Sequence, residues 1–156
     1  MLCLKRHSFS CCFSFFFCRA KSSAQHLFEE KFKGCAFNQF ALEKDSIMAE
    51  QTNKEILSAL LSGLPEKART QVRGILTLQI MVEENGSSCL VSLRNETNYT
   101  TRKWHLPENI SQRLTWHHVK KKVSVVLAVK FSEKGAQFLR YGIEGLNREW
   151  KPIKTW

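Results

Sequence analysis

The strongest constraint on the fold lies between Val123 and Phe131, where Val123, Val125, Leu127, Val129 and Phe131 take every second position without a break. A helix would scatter these side chains around its axis, whereas a pleated strand sends all of them to one side. The same period appears from Val72: Leu76, Leu78, Ile80 and Val82 share one face, with Thr77, Gln79 and Glu83 on the other. Asn85-Gly86 follows at once, and Cys89, Val91 and Leu93 then alternate with Leu90, Ser92 and Arg94. Strand, Asn-Gly, strand is a hairpin, and Asn-Gly predicts a type I′ turn with positive φ at both central residues.

Helical spacing surrounds these strands. Thr52-Asn53-Lys54-Glu55 has the form of a capping box, in which the Thr hydroxyl accepts the N3 amide and the Glu reaches back. Ile56, Leu57, Leu60, Leu61 and Leu64 then form one apolar stripe, which Gly63 and Pro65 bring to an end. Asn95 to Leu106 reads as a loop leading into a third strand near Thr100–Leu106, because it is polar but rich in Thr, Tyr and Trp. Pro107 opens a short polar helix, Asn109 to Lys120, with Ile110 and Leu114 inward. Ser132 to Gly135 turns the chain, and residues 136–147 fit a closing helix and a hairpin strand equally well. A chain of 156 residues suits one core. The expected class is α+β: a small single domain with a mostly antiparallel sheet and helices packed on one face.

Composition shifts near residue 48. Nine of the 11 Phe lie at or before Phe40, and all four Trp lie after residue 100. Residues 1–48 are therefore read as a Phe/Cys-rich extension or targeting segment, and 49–156 as the folded domain, with Met48 a second potential start. Lys5 and Arg6 precede the apolar run Ser8 to Cys18, and Ser22-Ser23-Ala24 supplies small residues beyond it. That is the outline of a cleaved secretory signal, although Arg19 and Lys21 interrupt it. An acid-poor, Ser- and Arg-containing start also suits a mitochondrial presequence. No apolar run reaches the ~18 residues of a membrane-spanning helix, so no transmembrane span is expected. Cys3, Cys11, Cys12, Cys18, Cys35 and Cys89 contain no CxxC pair, so they lack the spacing of a zinc site.

Charge carries the functional expectation. Lys and Arg number 24 against 14 Asp and Glu, and residues 101–156 hold 12 of these cations against four carboxylates. Aromatic residues interrupt the basic runs: Arg102-Lys103-Trp104-His105, then Trp116-His117-His118 ahead of Lys120-Lys121-Lys122, then Trp150-Lys151. Cations neutralise phosphates and flat rings stack on unpaired bases. The reading is a small basic non-enzymatic protein that binds RNA or single-stranded nucleic acid through Arg102, Lys103, Trp104, Arg113, Lys120, Lys121 and Lys122. Trp104 is the expected stacking residue. No named nucleic-acid motif accompanies these residues. The sequence implies no catalytic residue, cofactor or metal: His117 and His118 are adjacent, and Cys89 falls on the apolar side of its strand, where a thiol is inert.

Two alternatives compete. Asn85-Gly-Ser, Asn95-Glu-Thr, Asn98-Tyr-Thr and Asn109-Ile-Ser all match the N-glycosylation pattern, which with the signal-like start describes a secreted glycoprotein. Asn85 and Asn109 also have backbone reasons to exist, as a turn residue and a helix cap. The other alternative is a small subunit of a larger assembly, joined through Trp150 and Trp156 at its Trp-rich C-terminus. With only Cys89 in the folded unit, the expected location is intracellular, cytoplasmic or nuclear. No disulfide between Cys35 and Cys89 is expected there.

Overall fold

Strand β5 (Val123–Ser132) is buried on both faces for most of its length, and the sheet is organised around it. Beside it run β3 (Gly74–Val82) and then β4 (Ser88–Thr97), both antiparallel to their neighbours. Leu76, Leu78, Ile80 and Val82 lie opposite Val129, Leu127, Val125 and Val123, so the two alternating rows recognised in the sequence form one continuous apolar face. Leu93 and Leu90 extend it from β4, across a bulge between Gln79 and Ile80. A one-residue slip would turn this whole row to the opposite face. Each fully buried Leu or Ile contributes roughly 1.5–3 kcal/mol, so apolar burial alone sets the register.

The computed structural model describes residues 26–44, 47–144 and 149–153. The signal-like run Ser8–Cys18, the small residues Ser22 to Ala24, the cysteines before Cys35, and Trp156 lie outside the described residues. Helix α1 (Asn53–Leu61) begins as its capping box predicts: Thr52 Oγ1 accepts from Glu55 N at 3.3 Å. A short helix α2 (Glu66–Arg69) and α3 (Leu106–Arg113) follow. Ile56, Ala59 and Leu60 of α1, Ala68 of α2, and Leu106 and Ile110 of α3 join the apolar row of the sheet in one core cluster.

Several sequence expectations change. The region Thr100–Leu106 is not a strand. Thr101–Lys103 makes one 3-10 turn, His105 takes φ of 50°, and α3 starts at Leu106. Helix α3 stops at Arg113, well short of Lys120. Residues 136–147 resolve as strand over their described part, β6 (Gly135–Glu144), which pairs with β5 and with β7 (Glu149–Ile153). The hairpin turn is not type I′. Gly86 N donates to Glu83 O (2.9 Å) and Glu83 N to Ser87 O (2.8 Å), while only Gly86 of the pair has positive φ, at 82°. This is the longer loop in which glycine fills the left-handed bulge position.

The largest revision concerns the N-terminal extension, because its described part belongs to the sheet. β1 (Glu30–Lys31) pairs antiparallel with β4, and β2 (Ala41–Leu42) pairs parallel with the start of β5. β6 meets β5 only from Val126 onward, and β2 fills the notch that this leaves. Glu43 N donates to Ser124 O and Glu43 O accepts from Ile143 N, both at 3.2 Å. Cys35 and Cys89 are joined by a disulfide, contrary to the expectation of free thiols. Their Cα atoms lie 5.8 Å apart, the chain just before Cys35, from Leu27 to Phe32, being held against β4 as part of a strap that runs over residues 26–44.

That strap explains a polar cluster on the sheet's second face. Gln79 is wholly buried, although its alternation reads as solvent-facing. Its Oε1 accepts from Leu27 N (2.9 Å) and Ser92 Oγ (2.7 Å), and its Nε2 donates to Ser124 Oγ (3.3 Å). Burying an amide without such partners would cost several kcal/mol. The result is a small single domain with a seven-stranded, mostly antiparallel sheet and few helices, in keeping with the α+β class.

Candidate functional site

The sheet separates the expected cationic residues into two groups. Arg102 and Lys103 follow β4, at the end where Gly74, Thr97 and Phe131 lie together. Lys120 and Lys121 precede β5, at the end where Val82, Ser88 and Val123 meet. The nine residues of β3 between these ends span roughly 30 Å. Arg113 ends α3 toward the same end of the sheet, since Ser88 Oγ donates to Ile110 O (3.3 Å) and places the C-terminal half of α3 beside the start of β4.

Two of the seven residues have structural work instead. Trp104 is wholly buried, its ring 5.7 Å from that of Phe131. The turn before it and the left-handed His105 after it direct the indole into the core, so Trp104 cannot stack on a base. Lys122 is 7% exposed; its Nζ pairs with Glu83 (2.8 Å) and donates to Ala36 O (3.1 Å) and to Asn38 Oδ1. It ties the strap to the hairpin and has no freedom to follow a phosphate.

Arg102, Lys103 and Arg113 stay exposed, as does the cationic part of the loop from Leu114 to Lys121. Its alternation sends Leu114 and Trp116 inward (3% and 2% exposed) and leaves His117 and His118 at the surface. Two backbone bonds fix its path: Trp116 N donates to Gly86 O (2.9 Å) and His117 N to Glu50 O (3.3 Å). Lys120 and Lys121 are exposed, and neither has an acidic partner among the described residues. With His118 they rim a cleft of about 410 Å³ lined also by Ile47, Met48, Val119 and Val123. The floor is therefore apolar and the rim cationic.

A second cleft of about 330 Å³ shares Met48 and is lined by Glu50, Gln51, Thr52, Asn53, His117 and Arg140. Arg140 is 4% exposed and forms a salt bridge with Glu43, which is 1% exposed. Arg140 also donates to Ala49 O, while Glu43 accepts from Ala49 N at 2.9 Å. The guanidinium stands 5.6 Å from the centre of the Trp116 ring. Burial pushes the Glu43 carboxyl above its usual value, outweighing the attraction of Arg140, which pulls it down. The pair holds β2, β6 and the segment leading to α1 together. Sequence reading had no access to it, because its members stand 97 positions apart and carry no motif.

Trp150 on β7 is 44% exposed, the one tryptophan among those described that reaches the surface. Among the described residues, no three His, Cys, Asp or Glu side chains gather into a group able to hold a metal. Nor is any described helix long and apolar enough to cross a membrane. Comparison with known proteins returns no matching family model, no matching curated relative and no matching solved structure.

Proposed function

We propose that this is a small, basic, non-enzymatic α+β protein that binds a polyanionic strand, RNA or single-stranded nucleic acid, at the end of the sheet that carries Arg113, His118, Lys120 and Lys121. The observation behind this reading is the cation-rimmed, apolar-floored cleft, whose two lysines have no acidic partner among the described residues. Helices packed on one face of the sheet, as the shared core of α1, α3, β3 and β5 suggests, belong to the same reading. Binding is electrostatic and weakly sequence-selective, because the indoles of Trp104 and Trp116 are buried and cannot stack on a base.

Three phosphate contacts imply a log–log salt slope of about −2 for a single strand. Titration of the protein with a labelled RNA oligonucleotide at stepped salt tests this. The K120E/K121E variant should lose measurable binding, and R102E/K103E, altered at the far end of the sheet, should keep it. Unchanged affinity in K120E/K121E refutes the site.

The Cys35–Cys89 bond favours a second reading, in which the chain is exported and the same cleft meets an acidic glycan. Disulfides persist in oxidising compartments, and this one fixes the strap to the sheet. A sulfated polysaccharide used as competitor in the same titration separates the two polymers by their relative affinity.

A further inference from the structure

The four Asn-X-Ser/Thr triplets between residues 85 and 109 are treated very differently by the fold. A glycan attaches to Nδ2, so the partners of that nitrogen decide which asparagines can carry one in the folded chain. Asn109 is 5% exposed and its Nδ2 donates to Trp104 O at 2.8 Å. A sugar there would break that bond and enter the core. Asn95 Nδ2 donates to Tyr99 O (2.8 Å) and Thr101 Oγ1 (3.1 Å). Asn98 Nδ2 donates to Gln71 O (2.9 Å), and its Oδ1 accepts from Arg73 N (2.8 Å). Both side chains thus act as clasps around the start of β3 and the end of β4.

Asn85 shares its exposure with Asn98 but differs from all three in its side-chain nitrogen. It is exposed at the tip of the β3–β4 hairpin. Only its Oδ1 is engaged, accepting from Ser87 N (3.0 Å) and Ser87 Oγ (2.7 Å), and its Nδ2 has no partner among the described residues. The hydroxyl that completes the triplet is thus already held against the acceptor side chain. The disulfide at Cys89, four positions further along the same hairpin, is a bond that persists in oxidising compartments, the kind of compartment where such sugar transfer takes place.

We propose that Asn85 is an N-glycan acceptor, and that it is the one of the four triplets that the folded chain carries modified. The donor is a lipid-pyrophosphate-linked oligosaccharide. A bond forms between Asn85 Nδ2 and the anomeric carbon of the first sugar, the bond from that carbon to the phosphate oxygen breaks, Nδ2 gives up one proton, and the lipid pyrophosphate leaves. The proposal rests on the exported reading of the chain.

The test is to express the whole chain in a secreting eukaryotic cell and treat protein from medium and cell lysate with an N-glycanase. Protein from the medium should drop in apparent mass by one glycan, with the enzyme's Asn-to-Asp conversion found at residue 85 alone. Asn85→Gln and Ser87→Ala should each abolish the shift; two variants are used because Asn85 also shapes the turn. Secreted chain that carries no sugar, or carries it at Asn95, Asn98 or Asn109, overturns the assignment while leaving export standing. Chain confined to the cytosol, with Cys35 and Cys89 as free thiols, overturns export and the assignment together.

Discussion

Removing Glu43 should be far more harmful than removing its partner in acid, although the two form one salt bridge. Glu43 and Arg140 are 1% and 4% exposed, so neither charge has water to fall back on. In Glu43→Gln the amide oxygen can still accept from Ala49 N, which isolates the loss of charge. Arg140 is then left buried and cationic, because guanidinium does not deprotonate at any ordinary pH. Breaking a buried pair this way costs about 3–5 kcal/mol, with little dependence on pH between 5 and 8. Arg140→Met leaves the opposite residue, and a carboxyl can neutralise itself. Burial already holds the Glu43 pKa above its usual value of 4.5, and loss of Arg140 raises it further. A carboxyl whose folded pKa lies above its unfolded one binds its proton more tightly in the folded state. Stability is therefore gained as pH falls through the folded value, is fully present below the unfolded value, and is lost again as pH rises. Arg140→Met should accordingly be costly at pH 8 and recover substantially by pH 5. Urea melts followed by Trp fluorescence at both pH values give the comparison, with constant m values required. A Glu43→Gln cost under about 1 kcal/mol, or an Arg140→Met cost identical at the two pH values, refutes the reasoning.

Cys35→Ser should cost about 4 kcal/mol by chain entropy for a loop of this length, the two cysteines standing 54 positions apart; the same drop should follow dithiothreitol treatment of the unaltered protein. Trp104→Ala, at a site 0% exposed, should lose about 3–5 kcal/mol in a denaturant melt, whereas Trp150→Ala at 44% exposure should stay within ~0.5 kcal/mol. Equal effects would mean that the two indoles have been assigned to the wrong sides of the surface. Gly86→Ala should destabilise by at least about 1 kcal/mol, because an added Cβ falls 2.2 Å from Trp116 O at a φ of 82°; a thermal melt unchanged from wild type would refute that contact.

What the sequence disclosed was local. The Thr52–Glu55 capping box, the Leu76–Val82 row and the Val123–Phe131 row each carry their signal within a few residues, and each appears where that signal places it. The failures share a cause, a partner distant in the chain. Gln79 reads as solvent-facing from its neighbours, yet it is buried by Leu27 and satisfied by Ser92 and Ser124. β1 and β2 are two residues each, too short for any periodicity to show. The string Arg102-Lys103-Trp104-His105 looks uniformly exposed, but one tight turn and a left-handed His105 separate an inward indole from outward cations. Lys122 looks equivalent to Lys120 and Lys121 until Glu83, Ala36 and Asn38 are placed around it.

The strap that closes the second face of the sheet also sets a timetable. Glu43 is synthesised 97 residues before Arg140, an interval of roughly 5–20 s at ordinary ribosome speeds. Leu27 waits on Gln79, and Ala41 on Val123, before either can be seated. Phe28, Phe32, Phe37 and Phe40 are therefore made early and housed late. During that wait they are apolar chain without a surface to rest on, open to aggregation or to a holding factor. Slowing translation between residues 44 and 123 lengthens the exposure without changing a single native contact, so the yield of folded protein becomes sensitive to codon choice in a stretch whose own structure is unaffected by it.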